Sequence, residues 1–321
     1  MNLTEDDVSL KLKLVYFHEY NDLVFGITGI ILNSISLVLI FKKSKEFFEM
    51  YRYILTYSTI IHLIFSFLIL ICGQLIEIKS KDMILLMAGP FKYTASQKME
   101  IIAAILFIGF IYLTISALPI PFIYSILIVL PVDILGYFGF ATNLLEDDSN
   151  VEFLDKRIWF NDELNKYRTF LRSKETNIYY RLLMIYVLTF ISSTYIIVFY
   201  CSMTVKKIVK KANEVCIING QHKLHKNYKQ IDNILFIQAL IPIIFIFIPY
   251  SFWLACIFLK ASFLETLSPI LWIHISWVPT IEAISTILLV KEFRIVFIKF
   301  WKEYICFGFT KRQRIRSFHN K

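Results

Sequence analysis

The stretch IIAAILFIGFIYLTISALPIPFIYSILIVLPVDILGYFGFAT, residues 101–142, decides the fold. It contains one charged residue, Asp133, and is about twice as long as the roughly 20 apolar residues with which one helix crosses a bilayer. Pro119 and Pro121 lie near its middle. Because proline removes a backbone donor and restricts the residue before it, we expect a helix to end there. The stretch therefore predicts two short-linked spans, Lys98–Leu118 and Phe122–Ala141.

Five further runs are apolar and long enough to cross a membrane, and each is closed by charges or a polar loop. They are Asp22–Phe41, Tyr53–Ile76, Tyr179–Met203, Asn233–Leu259 and Ser268–Val290. The chain of 321 residues is 57% hydrophobic and only 18% charged, whereas soluble domains carry roughly 25% charged residues. The acidic start lacks the basic region of a cleavable signal peptide. We predict an all-α membrane protein with a seven-transmembrane helix bundle.

Basic residues indicate which way the bundle faces. With residues 1–21 as an extracellular N-terminus, the cytoplasmic segments would hold 20 Lys and Arg against six acidic residues. The outer segments, together with the charged residues at the outer ends of the spans, would hold 14 against 17. Membrane proteins keep their basic loops inside. Treating 101–142 as a single span would move the basic loop at 204–232 and the tail outside. The pattern thus predicts seven spans, an outer N-terminus and a cytoplasmic basic tail at 291–321.

Polar side chains within the predicted spans would face the bundle interior. At a helix centre a charge costs roughly 2.5–3.5 kcal/mol on insertion scales. Besides Asp133, the spans carry Asn33, His62 and Glu282 in the first, second and seventh helices. Because these three fall at a similar depth, we predict an intramembrane polar network that repacks on a change of state. The alternative is that backbone carbonyls and water satisfy each one separately.

The sixth span contains Pro242 and Pro249. Proline in a helix interior removes a backbone hydrogen bond, which predicts a helix kink that either moves or is a fixed bend. The basic residues predicted at the cytoplasmic helix ends are Lys206, Lys207, Lys210, Lys211 and Arg294. These charges either set topology and contact anionic lipid or bind a cytoplasmic partner.

Apolar and basic residues alternate through 293–302, which predicts an interfacial helix on the membrane. Cys306 follows it and is a candidate for lipidation by palmitate, with a free thiol as the alternative. Asn2 opens an Asn-Leu-Thr glycosylation acceptor.

Catalytic and metal-binding motifs are missing from the sequence. It contains no HExxH, no GxSxG and no Gly-rich phosphate loop. The nearest metal pattern, Cys216 with His222 and His225, lacks a second cysteine and lies among lysines. No enzyme, cofactor, metal site or nucleic-acid partner is therefore predicted.

Short motifs follow one another in a specific order along the chain. They are Gly29 with Asn33, Tyr51–Leu55, Gly89–Tyr93, Ile237–Pro242, Pro279–Ala283 and Phe293-Arg294. Their order and spacing resemble the nematode serpentine chemoreceptors of the Str superfamily, a rhodopsin-like branch of the seven-helix G protein-coupled receptors. The resemblance is greatest to the Srd group.

The chain departs from that family pattern at several places. His62 stands where Asp is common, Ala283 replaces a Pro, and Phe91 replaces the Cys of an outer disulfide. The loop 143–178 contains no Cys, so that disulfide cannot form. The segment Phe122-Ile123-Tyr124-Ser125 lacks the arginine that the family carries at the inner end of its third span.

The resemblance implies a chemosensory receptor in the plasma membrane or the sensory cilium. It would bind a small odorant or soluble chemical among the outer halves of its helices and act on a heterotrimeric G protein. The missing arginine leaves open a divergent or truncated pseudo-receptor that does not couple. A transporter or channel is less favoured, because the sequence shows no inverted repeat.

Overall fold

A computed structural model of the chain describes residues 4–43, 49–79, 82–94, 96–116, 154–168, 170–173, 241–259, 263–270 and 272–302, with single helical positions between 178 and 240. The fourth predicted span, most of the fifth, and the site residues Asn2, Lys206, Lys210 and Cys306 lie outside the described residues.

The described part of the chain is mostly helical. Its helices are α1 (Glu5–Lys43), α2 (Glu49–Cys72), α3 (Gln97–Ser116), α4 (Lys156–Trp159), α5 (Ile248–Phe258), α6 (Leu264–Leu267), α7 (Trp277–Leu289) and α8 (Lys291–Trp301). Among the described residues, four helical stretches are long and apolar enough to cross a membrane: Glu5–Lys42, Arg52–Cys72, Phe236–Trp253 and Ser268–Leu289. The protein is a multi-pass membrane protein.

Helix α1 extends far beyond its predicted span. It has 39 residues, which at 1.5 Å each gives roughly 58 Å, nearly twice the thickness of the hydrocarbon core. Residues 5–21, predicted as a terminal segment, form its first half. Thr4 and Asp7 cap this start, since the Asp7 amide donates to Thr4 Oγ1 at 3.2 Å and the Thr4 amide donates to Asp7 Oδ2 at 3.2 Å. Neither Gly nor Pro interrupts the helix before Gly26.

A small sheet, which we call the cap, follows α2. It consists of β1 (Gln74–Lys79), β2 (Asp82–Met87) and β5 (Phe170–Ser173), in the order β1-β2-β5 with antiparallel pairing. Residues 154–168 add α4 and the short hairpin of β3 (Phe160–Asn161) and β4 (Lys166–Tyr167). We call the end of the bundle that carries this sheet the cap end, and the end at which α1 finishes and α8 lies the tail end.

Both faces of β1 and β2 are buried, in keeping with their mainly apolar sequences. On one face, Ile76, Ile78 and Leu85 pack against α2, α3 and α5 in the main core of the bundle. The opposite face of the sheet packs against the first half of α1 and the segment around α4. The buried residues of this second cluster are Val8, Val15, Leu75, Ile84, Leu86, Leu154, Ile158 and Trp159.

The cap corrects two predictions. The second span was predicted to continue to Ile76, but α2 ends at Cys72 and Gln74–Ile76 belong to β1. Gly73 ends the helix, donating to the Ile69 carbonyl at 3.0 Å and accepting from the Ala88 amide at 2.7 Å. The described part of the chain is mostly helical, but the prediction of an all-α fold is wrong at the cap end, where a three-stranded sheet connects the helices.

The later predicted spans are irregular. A π-helical segment, Ile243–Phe247, precedes α5 and widens the sixth span locally. The predicted seventh span begins with two 3₁₀ segments, Ser268–Ile270 and Ile273–Ser276, before α7. At Val290 the backbone turns extended, with φ −76° and ψ 108°, and α8 starts in a new direction.

Candidate functional site

Glu19 of α1 joins three parts of the cap end by ionic hydrogen bonds. Lys92 Nζ, in the turn after β2, donates to Glu19 Oε2 at 2.9 Å. Arg168 Nη2, after β4, donates to Glu19 Oε1 at 2.5 Å. One carboxylate therefore holds two cations that lie 73 and 149 residues away along the chain. This arrangement connects α1, the turn after β2 and the segment 154–168 without a disulfide.

A second set of bonds fixes α1 to the segment before α7. His18 Nδ1 donates to the Pro269 carbonyl at 2.6 Å. Asn21 Nδ2 donates to Ser276 Oγ at 2.6 Å, and Trp277 Nε1 donates to Asn21 Oδ1 at 2.7 Å. His18, Asn21 and Ser276 are buried, so this contact is shielded from water and holds the cap-end halves of the two helices together.

Three aromatic rings meet in the core below the cap. Trp253 of α5 lies 5.4 Å from Tyr250 and 5.6 Å from Trp272, and Tyr250 lies 6.1 Å from Trp272, all between ring centroids. Trp253 is 1% exposed, and its Nε1 has no hydrogen-bond partner. Buried polar groups are normally hydrogen-bonded. The three rings thus form a buried, mainly apolar group in which the Trp253 Nε1–H is a donor without an acceptor.

The predicted polar residues occupy the interior where α1, α2 and α7 contact one another. Asn33 is 1% exposed, and its Nδ2 donates to Gly29 O at 2.8 Å and across to Pro279 O of α7 at 3.1 Å. Glycine is needed beside it, because a Cβ on Gly29 would overlap Ser66 Oγ and lie 3.2 Å from Thr280 Oγ1. Asn33 therefore bridges two helices at a point of close approach.

His62 and Glu282 are also buried, each at 3% exposure. Their own carbonyls accept hydrogen bonds from Ser66 Oγ and Ser285 Oγ, each at 2.8 Å, while His62 Nδ1 and Glu282 Oε2 have no partner. In the part of the chain that the structure describes, no hydrogen bond joins the side chains of Asn33, His62 and Glu282. The structure places them in adjacent helices, and their action as one network stays a prediction.

The remaining described site residues are three exposed cations and two prolines. Lys207, Lys211 and Arg294 are exposed, and Arg294 Nη1 donates to the Leu288 carbonyl at 3.2 Å. Pro242 precedes the π-helical segment, and Pro249 lies in the first turn of α5, where proline is tolerated. Both prolines flank an irregular part of the helix, and the kink itself stays a prediction.

The sequence interpretation missed Glu19, Arg168 and the aromatic group. Glu19 and Arg168 are far apart along the chain and belong to segments read as polar loops, so no local pattern connected them. One signal pointed towards such a contact. The loop 143–178 carries no Cys, so only a non-covalent contact can hold it against the first outer loop.

Two comparisons with known proteins bear on this arrangement. The family model described as serpentine type 7TM GPCR chemoreceptor Str matches residues 19–145 and 164–298. These ranges include Glu19, Asn33, Arg168 and the helices that meet at Asn33. No curated protein matches the chain significantly.

Proposed function

This chain belongs to the Str family of serpentine seven-transmembrane chemoreceptors, and we propose that it detects a small odorant or soluble chemical and activates a heterotrimeric G protein. The observation that carries the proposal is the family match over most of the chain. From the motifs at Gly29 with Asn33, Ile237–Pro242 and Pro279–Ala283, we further propose that the receptor is of the Srd type.

We propose that the chain crosses the plasma membrane seven times, with the cap end outside and the tail end in the cytoplasm. The positive-inside rule favours this orientation, because the tail and the loop at 204–232 carry most of the excess basic charge. Expression in the sensory cilium follows from the same chemosensory role.

The ligand is proposed to bind at the cap-end half of the bundle. Small-molecule sites are lined mainly by apolar and aromatic side chains with a few fixed polar groups. Tyr250, Trp253 and Trp272 supply such a surface, and the unpartnered Nε1 of Trp253 supplies a donor. The hydrogen-bonded contact between α1 and the segment before α7 fixes one wall.

The signal is proposed to pass through the junction of α1, α2 and α7 and through the irregular sixth span. A ligand shifts a conformational equilibrium only if it binds one state better than the other. Hydrogen bonding can change between states at the π-helical segment Ile243–Phe247 and at two buried atoms without a partner, His62 Nδ1 and Glu282 Oε2. Pro242 and Pro249 restrict how that helix can rearrange.

The cytoplasmic partner is proposed to contact Lys206, Lys207, Lys210, Lys211 and Arg294. The test is charge reversal at the two exposed lysines that the structure describes, as the double variant Lys207→Glu/Lys211→Glu. We expect ligand-stimulated G protein activation in cells to fall at least fivefold at equal surface expression, because the variant replaces attraction with repulsion at the contact.

The matched control is Lys13→Glu, which reverses an exposed charge of α1 at the cap end. Its activation should equal that of the wild type. Normal activation by the double variant would show that Lys207 and Lys211 do not contact the G protein. A chain that reaches the surface and responds to no chemical in a broad panel would contradict the receptor proposal itself.

A further inference from the structure

Arg168 is a buried cation whose hydrogen-bonding capacity is only partly used. The residue is 3% exposed, and its Nη2 donates to Glu19 Oε1. Its Nε and Nη1 have no hydrogen-bond partner. A guanidinium carries five N–H donors in a rigid plane, and buried donors without acceptors are rare in folded proteins. Within the described ranges, no acceptor is therefore supplied to these two N–H donors.

Among the described residues, the ionic contacts at Arg168 join two cations to one carboxylate. Arg168 and Lys92 share the single carboxylate of Glu19. The next acid along α1, Asp22, is engaged by His18, with 3.3 Å between His18 Nε2 and Asp22 Oδ2. The missing acceptor is therefore best supplied by a monoanion rather than by a neutral group or a dianion.

Two aromatic rings flank the guanidinium and define the rest of the site. Arg168 Cζ lies 5.3 Å from the centroid of the Trp159 ring and 5.9 Å from that of Tyr93, within the range of cation–π attraction. The Lys92 and Glu19 side chains are 26% and 16% exposed, so the ion pair extends from the buried guanidinium towards the surface. The rings can contact the hydrocarbon part of a bound molecule while the guanidinium binds its charged group.

From these contacts we propose that the cap binds a small carboxylate, whose oxygens accept hydrogen bonds from Arg168 and whose hydrocarbon part lies against Trp159 and Tyr93. Lys92 adds the second positive charge. The inference goes beyond the proposed function, because Arg168 contacts Trp159, which packs on the opposite face of the sheet from Tyr250 and Trp253. It does not depend on G protein coupling, since binding can be measured on the purified chain.

The experiment uses the purified full-length chain in lipid nanodiscs and follows its thermal unfolding midpoint. Acetate, propionate, butyrate and hexanoate are compared with the corresponding uncharged amides. A ligand that binds the folded state raises its stability according to concentration and affinity. We expect a carboxylate to raise the midpoint at a concentration at which its amide has no effect.

Two variants at the site have opposite expected effects. Arg168→Gln removes the guanidinium and should weaken carboxylate binding at least tenfold. Glu19→Gln keeps Arg168 but removes the competing carboxylate, so it should tighten binding several-fold. A merely structural role of this ion pair would weaken binding in both variants. The matched control is Arg157→Gln, which removes an exposed cap arginine that pairs with Asp155 and should leave the affinity unchanged.

Several results would overturn the proposal. They are equal effects of carboxylates and amides, wild-type affinity in Arg168→Gln, and weaker binding in Glu19→Gln. Should Arg168→Gln fail to fold, the Glu19→Gln result decides alone. Carboxylate binding without G protein activation would contradict the proposed function and keep this inference. Activation by neutral odorants without any carboxylate binding would contradict this inference and keep the proposed function.

Discussion

At the scale of single residues, Asn33 carries the clearest energetic role in the membrane interior. Its side chain donates to carbonyls of two different helices. Hydrogen bonds between membrane helices contribute about 0.6 kcal/mol on average and up to about 1.7 kcal/mol. We expect Asn33→Leu to lower the stability of the purified chain by about 1 kcal/mol, because the Pro279 carbonyl loses its partner from α1. Thermal unfolding in detergent measures the change.

The control for this prediction lies next to Asn33 on the same helix. Ser34 is exposed and its hydroxyl donates only to the Ile30 carbonyl within α1. Ser34→Ala should therefore change the stability by much less. Equal losses in the two variants would mean that the bond from α1 to α7 contributes nothing.

Gly89 is a second residue whose role follows from its surroundings. A Cβ at this position would overlap the Ile71 carbonyl oxygen and lie 2.6 Å from the Ile71 carbonyl carbon. Overpacking of this kind costs about 1–3 kcal/mol. Gly89→Ala should therefore lower both the unfolding midpoint and the amount of receptor at the cell surface.

Gly26 provides the comparison, since a Cβ there would meet only Leu70 atoms at 3.2 Å or more. Gly26→Ala is expected to be much milder. If both glycines tolerate alanine equally, the backbone approach at Gly89 is looser than the structure indicates.

The sequence predicted the buried polar residues of the helices better than the charged residues of the cap. Asn33, His62 and Glu282 each stand alone in an apolar run, and such residues avoid lipid; all three are buried. Glu19 and Arg168 stand among other polar residues, where a charge carries no local sign of burial. Their pairing depends on tertiary contacts between distant segments, which a single sequence does not encode in any periodic pattern.

At the scale of elements, the strand after α2 shows why a short apolar run is ambiguous. Leu75, Ile76 and Ile78 continue the hydrophobicity of α2, and a strand buried on both faces has the same unbroken apolar pattern as a buried helix. Gly73 marked the boundary. The predicted spans Asp22–Phe41 and Lys98–Leu118 overlap α1 and α3, but α1 begins at Glu5, far before its predicted span.

Helix α8 provides a prediction at this scale. Phe293 is fully buried in the bundle, but Ile295, Ile298 and Phe300 are 54%, 44% and 53% exposed. An exposed apolar face next to basic residues is typical of a helix that lies in the membrane interface. The double variant Ile295→Gln/Ile298→Gln should weaken the binding of α8 to the membrane interface by about 1 kcal/mol per residue, because less apolar surface leaves water. Amide hydrogen exchange in residues 291–301, measured in nanodiscs, should then become several-fold faster.

The variant Ile295→Leu/Ile298→Leu keeps the apolar surface and serves as the control. Its exchange rates should match the wild type. Slow exchange in both variants would show that α8 is held by Phe293 and the protein core alone, without help from lipid.

At the scale of the whole molecule, the cap and the long α1 tie the bundle together at one end. Helix α1 contacts α2, α7 and α8 within the bundle and, through its first half, α4 and the segments before α7. Lys11 of α1 also forms a buried ion pair with Glu77 of β1. The ion pairs of Lys11 and Glu19 thereby tie the first half of α1 to β1, the turn after β2 and Arg168.

The proposed receptor crosses the membrane seven times, with the cap end outside. The most direct measurement places glycosylation acceptor tags at the N-terminus, at residue 120, in the loop 143–178 and at the C-terminus. Seven spans predict glycosylation of the N-terminal and loop tags only, with the tags at residue 120 and the C-terminus in the cytoplasm. Termini found on the same side of the membrane would contradict seven spans and, with them, the receptor that signals to a cytoplasmic G protein.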